Sequence, residues 1–129
     1  ITAGFPTETD EMFENSLRFV TEADLTYLHV FPYSPRPGTP AARMPQVDRR
    51  VARDRAARLR AVGESQFERL ALSRIGQVES ILVEQDGIGR QEQFIPCSLP
   101  GHLPGEIVSA RITHFADGTL VGEALRTAA

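Results

Sequence analysis

The sequence contains no lysine and no tryptophan, and among its 129 residues there is one cysteine, Cys97. Without lysine, arginine carries all fourteen basic charges, a bias attributable to genome composition before function, although the planar guanidinium fork suits phosphate wherever a partner approaches. A lone cysteine excludes an internal disulfide. Without further cysteines or clustered histidines it excludes a cysteine-based metal site as well, and Cys97 reads as a half-buried strand residue rather than a reactive thiol. His29, His102 and His114 are too scattered to form a metal site. No run of about 18 apolar residues is available to span a bilayer, and no charged start followed by an apolar stretch directs secretion. These absences predict a cytoplasmic protein with no membrane partner. Internal repeats and low-complexity tracts are lacking too. The chain also lacks an initiating methionine: Ile1-Thr2-Ala3 reads as the last residues of a strand entering a glycine turn, and the expectation is the tail of a larger enzyme.

With 41% hydrophobic residues the chain suits one globular domain or two small ones. Its net charge of -3 is unevenly spread. Residues 1–45 carry six acids and three arginines, residues 46–74 four acids and eight arginines, and residues 75–129 seven acids and three arginines. Only the middle segment is basic.

After the turn at Gly4, Thr7 or Thr9 can cap a helix whose first turn holds Asp10 and Glu11, acids that favour the positive end of the helix dipole. Phe13, Leu17 and Val20 give that helix one apolar face. The run Thr26 to Phe31 predicts a strand covered on both sides, as in a parallel sheet. Strand, helix and strand make a βαβ unit, which belongs to an α/β sheet or barrel needing further strands to close. Pro32 to Pro40 holds four prolines and must be a shaped loop. From about Gln46 to Arg74 helix formers return, with Val47, Val51, Leu59, Val62 and Leu70 as a drifting apolar stripe and six arginines, Arg49 to Arg60, along its first half. Gly63 counts against an unbroken helix by about 1 kcal/mol. Short β-rich runs near 77–84, 90–97, 106–114 and 119–125, separated by turns such as Asp86-Gly87 and Asp117-Gly118, predict a small barrel or sandwich. The fold class expected is α+β. The domains are expected at 1–45, 46–74 (a connecting arginine-rich helix) and 75–129.

Two motifs carry chemistry. Gly4-Phe5-Pro6-Thr7-Glu8-Thr9, a glycine turn between a strand and a helix, can cradle an anion on free backbone N–H groups, or can be a structural turn with a helix cap. Glu8 can grip a ligand or merely compensate the helix dipole. Some twenty residues later, Phe31-Pro32-Tyr33-Ser34-Pro35-Arg36-Pro37-Gly38-Thr39 follows the second strand. Together they resemble the closing part of the radical S-adenosylmethionine (SAM) barrel in the tRNA methylthiotransferases. That family shows Gly-Phe-Pro-Gly-Glu-Thr, a helix, Phe-x-Tyr-Ser-Pro-Arg-Pro-Gly-Thr-x-Ala, a basic helix and a TRAM domain, a small OB-like barrel. All five parts are present in that order. Leu28 to Tyr33, the Arg-Leu-Arg of the helix and Ile81-Leu82-Val83-Glu84 resemble the branch that methylthiolates N6-threonylcarbamoyladenosine beside the anticodon. Related branches act on isopentenyladenosine or on a ribosomal protein.

The resemblance implies SAM as cofactor, with Gly4, Phe5, Pro6, Glu8, Phe31, Tyr33 and Ser34 in the wall that holds it. It also implies two [4Fe-4S] clusters on cysteines this sequence does not contain, so the chain alone is expected to be inactive, with no catalytic or metal-binding residue of its own. The sequence departs from the family at Thr7, where glycine is usual; a positive φ there would strain a threonine. The implied partner is a tRNA anticodon stem-loop and not DNA, with Arg74, Arg90, Phe94 and Arg111 as the contacts a TRAM-like barrel could offer. The competing reading is an RNA- or protein-binding module without catalysis, against which the barrel segment's acidic balance weighs for RNA. A truncated sheet leaves an unpaired edge, and self-association is expected through it.

Overall fold

The structure, a computed structural model, describes residues 1–125. The fold is α+β and divides into two compact units, Ile1–Phe67 and Glu68 onward. Among the described residues no helix is long and apolar enough to cross a membrane.

In the first unit a short strand, β1 (Thr2–Ala3), leads through the glycine turn into helix α1 (Asp10–Glu22), and the chain returns to strand β2 (Phe31–Pro32), which pairs parallel with β1. Thr9 caps α1, its hydroxyl accepting from Met12 N at 3.1 Å. The helix ends without glycine: Asp24 takes φ 55°, Asp24 N donates to Thr21 O and Leu25 N to Val20 O, the paired bonds of a Schellman motif. That turn drives Leu25 back onto the core. The strand expected over 26–31 is realised only at its end. With Thr2 opposite Phe31 as the start of the pairing, residues 26–28 have no strand beside them.

Helix α2 (Arg49–Ser73) starts where the Asp48 carboxylate accepts from Arg50 N at 2.8 Å, and it runs 25 residues without a break. Gly63 does not interrupt it. A Cβ there would lie 2.8 Å from Leu28 Cδ1, so the glycine makes room for a neighbour. The core of the first unit joins Ala3, Phe13, Val20, Val30, Ala56 and Leu59, with Leu17, Leu25, Leu28 and Val62 packed against them. The buried face of α2 joins Leu59 and Val62 of the expected stripe to Ala52 and Ala56, while Val51 of that stripe is exposed.

The second unit holds strands β3 (Val78–Gln85), β4 (Ile88–Arg90), β5 (Pro96–Ser98), β6 (Ile107–Ala116) and β7 (Thr119–Ala124), closed into a barrel in the order β3-β4-β5-β7-β6. A meander of three strands followed by a return that sets β7 parallel to β5 is an OB-like arrangement. Strand β3 alternates buried and exposed residues, and Ile81, Val83, Ile95, Cys97, Leu99, Ile112 and Leu120 fill the interior. Each large apolar side chain buried there contributes about 1.5–3 kcal/mol. The single run expected over 90–97 is two short strands, because residues 91–95 leave the ladder. Gln91, itself buried, holds that excursion by accepting from Gln93 N and Ile95 N, and Phe94 is turned outward at φ 64°.

Cys97 lies fully inside the barrel, and desolvation by burial, with a smaller contribution from Glu79, pushes its thiol up to about 11 from 9.0. Its thiolate fraction at pH 8 is then about one in a thousand. Alkylation by iodoacetamide at pH 8 is expected to be negligible in the native protein and complete in denaturant; rapid native labelling would show that the barrel opens. The raised folded value also means that the unfolded chain releases this proton first. Stability from this group is therefore intact below pH 9 and falls as pH rises from 9 toward 11.

Candidate functional site

The turn after β1 is fixed from three sides. Gly4 has φ 78°, and a Cβ on it would stand 2.3 Å from the Ala52 Cβ and 2.8 Å from the Ala52 Cα, so the glycine is required both by its backbone angle and by close approach to α2. Glu8 turns inward: one carboxylate oxygen, Oε1, accepts from Gly4 N at 2.9 Å and from Arg55 Nη1 at 2.8 Å. Arg55 Nη1 also donates to the Glu8 carbonyl at 2.9 Å, and Nη2 to Asp10 Oδ1 at 2.8 Å. Burial works against the Arg55 charge, but hydrogen bonds to Asp10 and Glu8 together outweigh it and hold its pKa above the usual arginine value. The guanidinium also lies 5.6 Å from the Phe13 ring centroid, a cation–π contact.

Thr7 has φ 73°, so the position where the sequence departs from the resembled pattern does take the left-handed conformation. For a β-branched residue that costs about 1–2 kcal/mol. Thr7→Gly relieves it at some cost in chain entropy, and a gain of about 0.5–1 kcal/mol is expected, read as a higher denaturation midpoint at unchanged m-value.

At the end of β2 an open cleft of about 480 Å³ is lined by Thr2, Phe31, Tyr33, Ser34, Arg36 and Thr39, among others. Phe31 is 62% exposed toward solvent. Tyr33 is held by its N–H on the Ala3 carbonyl at 2.7 Å and by an edge-on contact with Phe5, ring centroids 5.4 Å apart. Of the seven residues expected in a cofactor wall, Phe31, Tyr33 and Ser34 thus line the cleft. Phe5 supports it through Tyr33. Gly4, Pro6 and Glu8 are turned into the protein and shape the turn behind it. Nothing in the motif pattern singled out Arg55, which reads in sequence as one member of a solvated arginine run.

The barrel residues expected to meet RNA form two groups. Arg90 and Phe94 come together: Arg90 Nη1 donates to the Phe94 carbonyl at 2.8 Å, Arg90 Nε lies 3.4 Å from Glu84, and both residues border a shallow recess with Leu82 and Ile107. Arg74 is bonded to Glu79, and Arg111 Nη1 donates to the Gly76 carbonyl at 3.0 Å. Each of the three arginines therefore has an internal partner. Among the described residues no group of three or more His, Cys, Asp or Glu is placed to hold a metal ion.

The glycine turn between β1 and α1, the proline-rich loop after β2 and the OB-like barrel are the segments that carried the resemblance, and comparison with known proteins covers all three. No family model matches the chain. By sequence it nevertheless belongs with the tRNA methylthiotransferases of the MiaB-like family. The threonylcarbamoyladenosine tRNA methylthiotransferase MtaB of Rickettsia prowazekii is 48% identical over 92% of the chain, and the tRNA-2-methylthio-N(6)-dimethylallyladenosine synthase of Bartonella bacilliformis is 37% identical over 93%. The synthase of Aeromonas salmonicida is 39% identical over 92%. The chain spans 28% of the first two relatives and 24% of the third.

Proposed function

We propose that this chain is the C-terminal part of a radical SAM tRNA methylthiotransferase, and that the whole enzyme methylthiolates N6-threonylcarbamoyladenosine beside the anticodon. The observation that carries the reading is the 48% identity to the threonylcarbamoyladenosine enzyme, against 37% to a dimethylallyladenosine enzyme over nearly the same share of both chains. When bound, SAM and two [4Fe-4S] clusters supply the radical and the sulfur chemistry. The one cysteine of this chain is buried in the barrel, so cluster ligands would come from other parts of the enzyme, and the piece by itself would be inactive.

In this reading residues 1–45 close the SAM barrel, 46–74 form the connecting helix and 75–129 a TRAM-like barrel. The cleft at β2 fits a nucleoside cofactor: Phe31 and Tyr33 offer ring faces and edges, Ser34 offers a hydroxyl, and the end of a parallel strand is where α/β barrels carry their functional residues. Gly4, Phe5, Pro6 and Glu8 contribute the shape of the wall. An RNA base reaches such a rim only when unstacked from a loop, which fits an anticodon stem-loop. The Arg90–Phe94 recess adds a cation and an exposed ring, with Arg74 and Arg111 further along the barrel. The enzyme would be cytoplasmic, and the separate piece, whose β1–β2 pair has open edges, would self-associate.

Mass spectrometry of tRNA from a strain lacking the gene tests this. Loss of 2-methylthio-N6-threonylcarbamoyladenosine, restored by the whole protein, is expected. Loss of the methylthiolated dimethylallyladenosine instead would overturn the substrate assignment, and loss of neither would overturn the enzyme.

A further inference from the structure

The arginines of the first unit fall into two sets. Arg55 is tied to Glu8 and Asp10, Arg58 to Glu14 at 2.9 Å, and Arg60 donates to the Val30 carbonyl at 3.1 Å. Arg36, Arg43, Arg49, Arg50 and Arg53 are exposed, and their guanidinium groups have no ion pair or hydrogen bond among the described residues. Arg49 and Arg53 border a recess of about 220 Å³ with Tyr33 and Ser34, while Arg36 borders the larger cleft, which shares Pro32, Tyr33 and Ser34 with that recess. Three free guanidinium groups therefore flank one short stretch of backbone.

Helix electrostatics disfavours two of them. Arg49 is the first residue of α2, whose first turn contains no acid, so a cation stands at the positive end of the dipole, and Arg53 follows at the like-charged i+4 position. Both placements are unfavourable, the first through the helix dipole and the second through like-charge repulsion along the helix face. The neighbouring Asp48 carboxylate is engaged in capping Arg50 N. The barrel arginines, by contrast, all have internal partners.

The geometry points to Arg36, Arg49 and Arg53 as the surface that grips the phosphate backbone of an RNA substrate, a task the paired arginines of the acidic barrel are less free to perform. It rests on the tRNA reading above and adds where on the protein the backbone is held. A guanidinium fork matches a phosphate with two parallel N–H donors, and each phosphate neutralised releases counterions.

The test titrates the full chain against a fluorescein-labelled RNA anticodon stem-loop, read by anisotropy at about 50–200 mM salt. In the triple variant Arg36→Gln/Arg49→Gln/Arg53→Gln the slope of log K against log salt is expected to shrink by about 2, with affinity at low salt at least about tenfold weaker. Arg90→Gln/Arg111→Gln is expected to retain most of the slope. An unchanged slope in the triple variant, loss confined to the barrel variant, failure of the unaltered chain to bind, or equal binding of a DNA stem-loop of the same sequence would each overturn the inference. None of these touches the enzyme assignment, which stands or falls on the nucleoside analysis.

Discussion

Gly4→Ala should destabilise the first unit by about 2–5 kcal/mol, the sum of about 1–2 for an alanine in the left-handed region and about 1–3 for forcing a methyl into a packed contact. The structural cause is the position of that methyl, 2.3 Å from the Ala52 Cβ and 2.8 Å from its Cα. Neither atom is the end of a flexible side chain, so relief requires α2 to move off the turn, and Ala56 and Leu59 of the core would move with it. A loss of this size is a large share of the whole stability of a small domain, about 5–15 kcal/mol. Hydrogen exchange should show amides of α1 losing protection, while those of β3 and β6 retain theirs. The double variant Gly4→Ala/Ala52→Gly separates the two causes. It removes the Cβ contact but keeps the backbone strain and the 2.8 Å approach, and recovery of about 1–2 kcal/mol is expected. If Gly4→Ala alone costs under about 0.5 kcal/mol, a typical surface value, α2 does not rest on the turn as described.

The elements of this protein were legible where periodicity and turn residues agree. Phe13 and Val20 mark the buried side of α1, and the turns at Asp86-Gly87 and Asp117-Gly118 separate barrel strands as expected. What could not be read follows from particular side chains. The α2 stripe marked Leu59 and Val62, but the face also packs through Ala52 and Ala56, residues that tight contact requires but that carry no strong apolar signal. Gly63 counted against the helix because propensity ignores the Leu28 side chain lying over it. The 26–31 run reads as a strand from its composition, but a strand needs a partner, and only its last residues have one. At the candidate site the motif identified Phe31, Tyr33 and Ser34, which do share a cleft. It could not show that Glu8 faces inward, because the partner that turns it, Arg55, is 47 residues away.

That pair carries the second large effect. Arg55→Met should cost about 3–5 kcal/mol, because a buried charge loses its partner. The Glu8 side chain is 13% exposed and that of Arg55 6%, so water cannot replace the missing donors. The Asp10 side chain is 98% exposed, and its contact is worth about 0–1 kcal/mol, as exposed pairs are. Asp10→Asn is therefore a near-neutral control. Adding Glu8→Gln to Arg55→Met removes the stranded charge and leaves an amide oxygen able to accept from Gly4 N, so the double variant should be more stable than Arg55→Met, with a coupling of about 1–3 kcal/mol in chemical denaturation. Additive losses in that cycle would show that Glu8 and Arg55 act independently, leaving the carboxylate free to meet a ligand. A strong coupling would mean that Glu8 shapes the cleft only through the turn it anchors. In that case Arg55→Lys should damage the turn as well, since a single ammonium cannot reproduce the fork that reaches the Glu8 carbonyl, its carboxylate and Asp10 together.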